Sequence, residues 1–221
     1  IYKFWGERAG VLLGGILGGL ISSTATTMSH SKAYKGGSAV SQNALIIVIA
    51  WTTVYPRLLL EIGVAAPSFR AAWLPLIVLF SASACSALWV WRGSSRHGKG
   101  MPLQDNPTEL KTALTFGFLY SVILLAVSFS KEYLGRSGLG LVAALSGITD
   151  MDAITLSTSR LVEAGKLSPA DGWPVIVIAA MSNTLFKGVL VGIMGGKALF
   201  RAIAVPLVVS LGVALALLML G

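Results

Sequence analysis

Ser146-Gly147-Ile148-Thr149-Asp150-Met151-Asp152-Ala153-Ile154-Thr155-Leu156-Ser157 sets two carboxylates in the middle of an apolar run. An acid at the centre of a bilayer costs about 2.5–3.5 kcal/mol on insertion scales, so such a pair marks a functional position. The surrounding chain supports that setting. Of its 221 residues, 55% are hydrophobic and only 12% are charged, whereas a soluble domain carries about 25% charge. Mean hydropathy is +0.79. These values exclude an ordinary soluble domain and point to a polytopic helical membrane protein.

Seven apolar stretches follow, at roughly 9–28, 43–64, 71–91, 112–130, 138–158, 173–194 and 202–220. Each is near the ~20 residues that a spanning helix needs. No alternating strand pattern is present, which excludes a β-barrel. The predicted fold is all-α: one transmembrane bundle over residues 1–221. The net charge of +8 sits mostly in the loops, where it sets topology and meets lipid headgroups; a nucleic-acid partner is not expected. Basic residues divide eight to seven between the two faces, Arg70 falling opposite Arg160 and Lys166. The dense Arg92–Lys99 cluster assigns its side to the cytoplasm. Cys85 is the only cysteine, so no intrachain disulfide is available. The start at Ile1 lacks a Met and a signal-peptide pattern and reads as a cut edge, so a longer natural protein is expected.

An internal repeat organises the chain. Gly19 to Ser29 lines up with Gly147 to Ser157, and Ile47-Val48-Ile49-Ala50 with Val177-Ile178-Ala179-Ala180. Arg57 then meets Lys187, and Pro75-Leu76-Ile77-Val78 meets Pro206-Leu207-Val208-Val209. Repeat one (9–91), a linking helix (112–130) and repeat two (138–220) are read as an inverted 3+1+3 arrangement, with the termini on opposite faces. Transporters built of inverted repeats bind substrate near the midplane in discontinuous helices. Interruptions are therefore expected at Ser22–Ser23 and Thr149–Asp150. In an extended stretch Asp150 and Asp152 would share a side and could hold one ion.

Asp152, Thr155 and Ser159 form one helical stripe, matched by Thr24, Thr27 and Ser31 in the first copy. Asn183 and Lys187 are four apart, as are their mates Thr53 and Arg57, with Glu61 a turn further on. Candidate ion-binding residues are Asp150, Asp152, Thr149, Thr155, Ser22, Ser23, Thr24, Asn183, Lys187 and Arg57. Asp150 and Asp152 are the metal candidates, with Lys187 expected as their counter-charge. Carboxylate, hydroxyl and carbonyl oxygens would suit a hard cation such as Mg2+. His30 and His97 with one Cys give no zinc spacing, and neither a nucleophile elbow nor a P-loop is present, so an enzyme is not expected.

Gly19-Leu20-Ile21-Ser22-Ser23-Thr24-Ala25-Thr26, the Ser146–Ser157 stretch and Ser182-Asn183-Thr184-Leu185-Phe186-Lys187 resemble a known family. It is the C-terminal domain of unknown function in long bacterial and archaeal MgtC/SapB-type membrane proteins. The resemblance covers essentially the whole chain, including Asn106-Pro107-x-Glu109-Leu110; the MgtC-like N-terminal helices are absent. It implies a multi-pass protein of the bacterial inner membrane, an MgtC-like N-terminal domain as partner, and a loose link to magnesium through that other domain. It implies no catalytic residue.

The leading expectation is a transporter or channel for a small cation, Mg2+ or proton-coupled, with no resident cofactor. The alternatives are a small organic-anion permease using Arg57 and Lys187, and a non-transporting regulatory subunit. Expected partners are the lipid bilayer, the small ion and a second copy of the chain.

Overall fold

The computed structural model describes residues 2–35, 39–93, 139–149 and 151–220, the side chains of 2–8 and 149 excepted. The expected span at 112–130, His97, Asp150 and the basic loop from residue 94 onward lie outside the described residues. All regular structure among the described residues is helical: α1 (Tyr2–Lys35), α2 (Val40–Thr52), α3 (Val54–Ala65), α4 (Trp73–Gly93), α5 (Leu139–Thr149), α6 (Met151–Glu163), α7 (Pro169–Leu190) and α8 (Lys197–Leu220). A single turn at Thr53 separates α2 from α3, and together they form one apolar length, Val40–Ala65.

Among the described residues, five lengths are long and apolar enough to cross a membrane: Ala9–Lys35, Val40–Ala65, Arg70–Gly93, Pro169–Gly195 and Lys197–Leu220. Leucine, isoleucine and valine side chains stay exposed on their outer faces, among them Val64, Leu74, Leu88, Val208 and Leu220. In water such a surface would aggregate; in lipid it is solvated. Two apolar clusters fill the inside. One gathers α3, α4, α5, α6 and α7 around Leu58, Ile62, Phe69, Leu76 and Ile176. The other gathers α1, α2 and α8 around Ile47, Val48, Leu199 and Ile203.

The expected break in the first helix takes a different form. α1 stays helical through Ser22–Ser23, but it is sharply bent there. A methyl group placed on Gly18 would stand 2.7 Å from Thr26 Oγ1, whereas residues eight apart in a straight helix are separated by about 12 Å along the axis. At the bend Ser22 Oγ accepts from the Ala25 N–H at 3.2 Å, as an N-cap does. The Thr26 and Thr27 hydroxyls donate to the Ser22 and Ser23 carbonyls at 2.9 and 2.7 Å, a back-bonding that bends helices.

The two arms of α1 run in opposite senses along α2. In the first arm Gly15 meets Ile46 and Ile49 while Gly19 meets Ala50 and Thr53, so both chains advance together. In the second arm Trp51 Nε1 donates to Thr27 Oγ1 and Asn43 hydrogen-bonds with His30, so the order is reversed.

The fifth apolar stretch, expected as one span over 138–158, divides in the same way. Gly140 faces Ile178, Gly147 lies on Ala179, and Asn183 Nδ2 donates to the Gly147 carbonyl, so α5 advances with α7. α6 advances instead with α3: Arg57 bonds Asp152, and Ser68 bonds Glu163 at 2.6 Å. α3 is itself antiparallel to α7, since Tyr55 lies beside the Thr184 side chain at one level and Phe69 abuts Gly172 at the other. Thus α5 and α6 point in opposite senses. The Ser68–Glu163 contact also corrects the sidedness expected from the basic residues. The 66–69 connection, which leads into Arg70, lies beside the α6–α7 connection rather than on the opposite face, because α3 and α6 end together.

Candidate functional site

Small residues bring the backbones together where the charged side chains gather. A methyl group at Gly19 would collide with Thr53 Oγ1 and come within 2.8 Å of the Ala50 carbonyl; one at Gly147 would fall on the Ala179 backbone. Only glycine permits these approaches. They place the bend of α1 against the α2–α3 junction and the end of α5 against the middle of α7.

Each of these helical turning points receives a base from the opposite half of the chain. Arg57, on α3, reaches across to α6 and donates from Nη2 to Asp152 Oδ1 at 2.6 Å. Its Nη1 donates to the Leu20 carbonyl at the bend of α1, 3.2 Å away, and its Nε stands 3.8 Å from Glu61. Lys187, on α7, reaches across to α1 and donates from Nζ to Ser23 Oγ at 3.1 Å. The same ammonium stands 5.8 Å from the Trp51 ring centre, a cation–π distance. Lys187 is 1% exposed.

The other candidate residues fall around these two bases. Ser23 and Thr24 are buried on α1; Ser22 caps the second arm. Asn183 is buried one turn before Lys187 and ties α7 to the end of α5. Thr155 is fully buried on α6. The structure joins Arg57 with Asp152 and Lys187 with Ser23; it does not bring Lys187 and Asp152 into an ion pair among the described residues. Thr149 is the last residue of α5, its side chain outside the described residues, as is all of Asp150.

Among the described residues no group of three His, Cys, Asp or Glu could hold a metal, and the Asp152 carboxylate already carries a guanidinium. Trp51, Tyr55, Ser83 and Ser182 were missed from the sequence. Trp51 faces both Thr27 and Lys187. Ser83 shares a 2.8 Å hydrogen bond with Thr52, and Ser182 Oγ donates to the Ala144 carbonyl at 2.5 Å. Serine spaced one residue from Asn183 was a signal available beforehand; Trp51 was not, because a tryptophan in an apolar run reads as core.

The hydroxyls of Ser31, Thr155 and Ser159 are buried without a hydrogen-bond partner among the described residues. These are members of the two polar stripes, and orphan hydroxyls of this kind call for water or solute.

Fold and site define a helical multi-pass membrane protein with charged and hydroxyl side chains at its centre. The chain belongs to the family described as a domain of unknown function, DUF4010, whose model matches residues 1–195. It is similar to an uncharacterized protein of Aquifex aeolicus (strain VF5), 31% identical over 196 residues, covering 86% of this chain and 84% of that one. No solved structure matches the chain.

Proposed function

We propose that this domain is a transporter for a small charged solute, built from an inverted pair of units that each begin with a re-entrant helical hairpin. In this reading α1 enters from one face, turns at Leu20–Ser23 and leaves by the same face; α5 and α6 do the same from the other. Each arm of α1 from Ala9 onward is about 18–20 Å long at 1.5 Å per residue, roughly half a bilayer and its interface. Two short arms reach the midplane and return.

Hairpins also resolve the arithmetic of the repeat. Seven uniform crossings would start both copies from the same face, because four crossings separate their beginnings. α2–α3 and α7 nevertheless run antiparallel. Replacing the first helix of each copy by a hairpin leaves an odd number of crossings between them, counting the expected span at 112–130.

Equivalent contacts support the pairing of copies. Gly19 lies on Ala50 as Gly147 lies on Ala179. α6 packs beside α3, as α1 packs beside the π turn Val191–Gly195 that closes α7. The single observation that carries the proposal is the exchange of bases: Arg57 to Asp152 in one direction and Lys187 to Ser23 in the other. Broken or bent helices with polar groups at their turning points are tolerated in membranes where they line a solute path. A bacterial inner membrane, an MgtC-like N-terminal partner, self-association, the absence of a resident cofactor and a non-enzymatic role stand with this proposal, resting on the motif resemblance and on composition.

Proteoliposome flux tests it. Vesicles bearing the protein are expected to move at least one solute from a panel of small cations and carboxylates faster than empty vesicles, and Arg57→Gln to slow that flux. Passive vesicles across the panel, together with a Ser22→Cys tip that no water-soluble thiol reagent reaches from either face, would remove the transport reading and favour a regulatory subunit.

A further inference from the structure

Lys187 is a charged group that the fold buries without supplying a described carboxylate. An ammonium has three N–H donors. Here one goes to the Ser23 hydroxyl and the charge faces the Trp51 ring, so both contacts are neutral. Burying an ionised amine is costly unless a counter-charge meets it. Of the acids that the structure describes within the spans, Asp152 is held by Arg57 at 2.6 Å and Glu61 stands 3.8 Å from the same guanidinium. The bend of α1 lies beside Lys187, and there Ser22 Oγ accepts from the Ala25 N–H. The bend of α1 therefore lies beside a buried ammonium that no described carboxylate meets, while the neighbouring guanidinium is offset by Asp152 and Glu61.

We infer that Lys187 Nζ, with Ser23 and the start of the second α1 arm, is the anchoring point for a small oxyanion. This rests on the transport reading above and gives it a substrate class. Ser23 Oγ, which accepts from Lys187, retains its own hydroxyl proton to donate to the solute. The Trp51 ring stands 5.8 Å from the same ammonium. The Arg57–Asp152 pair closes the neighbouring turning point and holds its guanidinium in reserve: protonating or substituting Asp152 would free a second base for the anion rather than destroy the site.

The test is thermal protection of the full chain in detergent, with sodium acetate, succinate, sulfate and phosphate as probes against magnesium chloride at matched ionic strength. At least one oxyanion is expected to raise the melting temperature in a saturable way. Ser23→Ala is expected to weaken that binding about tenfold, the scale of one charge-assisted hydrogen bond, Lys187→Met to abolish it, and Asp152→Asn to leave it equal or tighter. Should Lys187→Met not be recoverable, the wild-type panel and Ser23→Ala decide the matter.

Protection by magnesium alone, lost in Asp152→Asn or Asp150→Asn, would overturn the inference in favour of a cation site. So would protection by oxyanions that Ser23→Ala and Lys187→Met leave intact, or no protection by any oxyanion. The hairpin reading fails separately, by labelling of the two ends of α1 from opposite faces. Absent protection with labelling as expected would remove only the oxyanion.

Discussion

At Asp152 and Arg57 the chemistry is that of a partly buried ion pair, the side chains 34% and 23% exposed. Partial exposure screens the pair, yet removing one partner leaves the other poorly satisfied. Arg57→Gln is expected to destabilise by about 1–3 kcal/mol, since it also strips a donor from the Leu20 carbonyl at the bend. The double change Arg57→Gln/Asp152→Asn is expected to cost less than the sum of the singles, by about 0.5–3 kcal/mol. Strictly additive melting shifts in detergent would show that the two do not act together. Gly147 tests close approach instead: Gly147→Val forces a branched side chain onto the Ala179 backbone. Overpacking of this kind costs about 1–3 kcal/mol or more. An unchanged melting temperature would show that α5 and α7 are farther apart than described.

At the scale of elements, the spans at 43–64, 71–91, 173–194 and 202–220 were legible because hydropathy marks what lipid must cover. The observed helices extend them by a few residues at their ends. The polar stripes were legible too: Thr27, Ser31, Thr155 and Ser159 are each 0% exposed, as residues sharing one helical face should be. The reversal of direction inside the first and fifth stretches was not legible. Hydropathy has no sign along the chain, so two half-length arms read the same as one full span. What bends α1 is also non-local in part, because the Leu20 carbonyl is taken by Arg57, 37 residues later. Likewise Lys187 was assigned to an acid by charge alone; packing gave it Ser23 and Trp51. The element directions make one concrete demand. In a Cys85→Ser background, Ser68→Cys/Glu163→Cys is expected to be joined by a short bifunctional thiol cross-linker, since the native side chains touch. Persistent free thiols would separate the ends of α3 and α6.

For the whole molecule, the account stands on α1 being a hairpin rather than a crossing. The 27 residues Ala9–Lys35 are long and apolar enough to span; as a straight helix they would cover about 40 Å. Folded at Leu20–Ser23, as proposed, they would return to the face they came from. The decisive measurement is sidedness labelling of single cysteines at Ala9 and Tyr34, in Cys85→Ser protein in sealed vesicles, with a membrane-impermeant maleimide. Ser68→Cys serves as the marker of the other face. The account predicts that Ala9→Cys and Tyr34→Cys react from one face and Ser68→Cys from the opposite one. Reaction of Ala9→Cys and Tyr34→Cys from opposite faces would make α1 a membrane crossing and contradict the account.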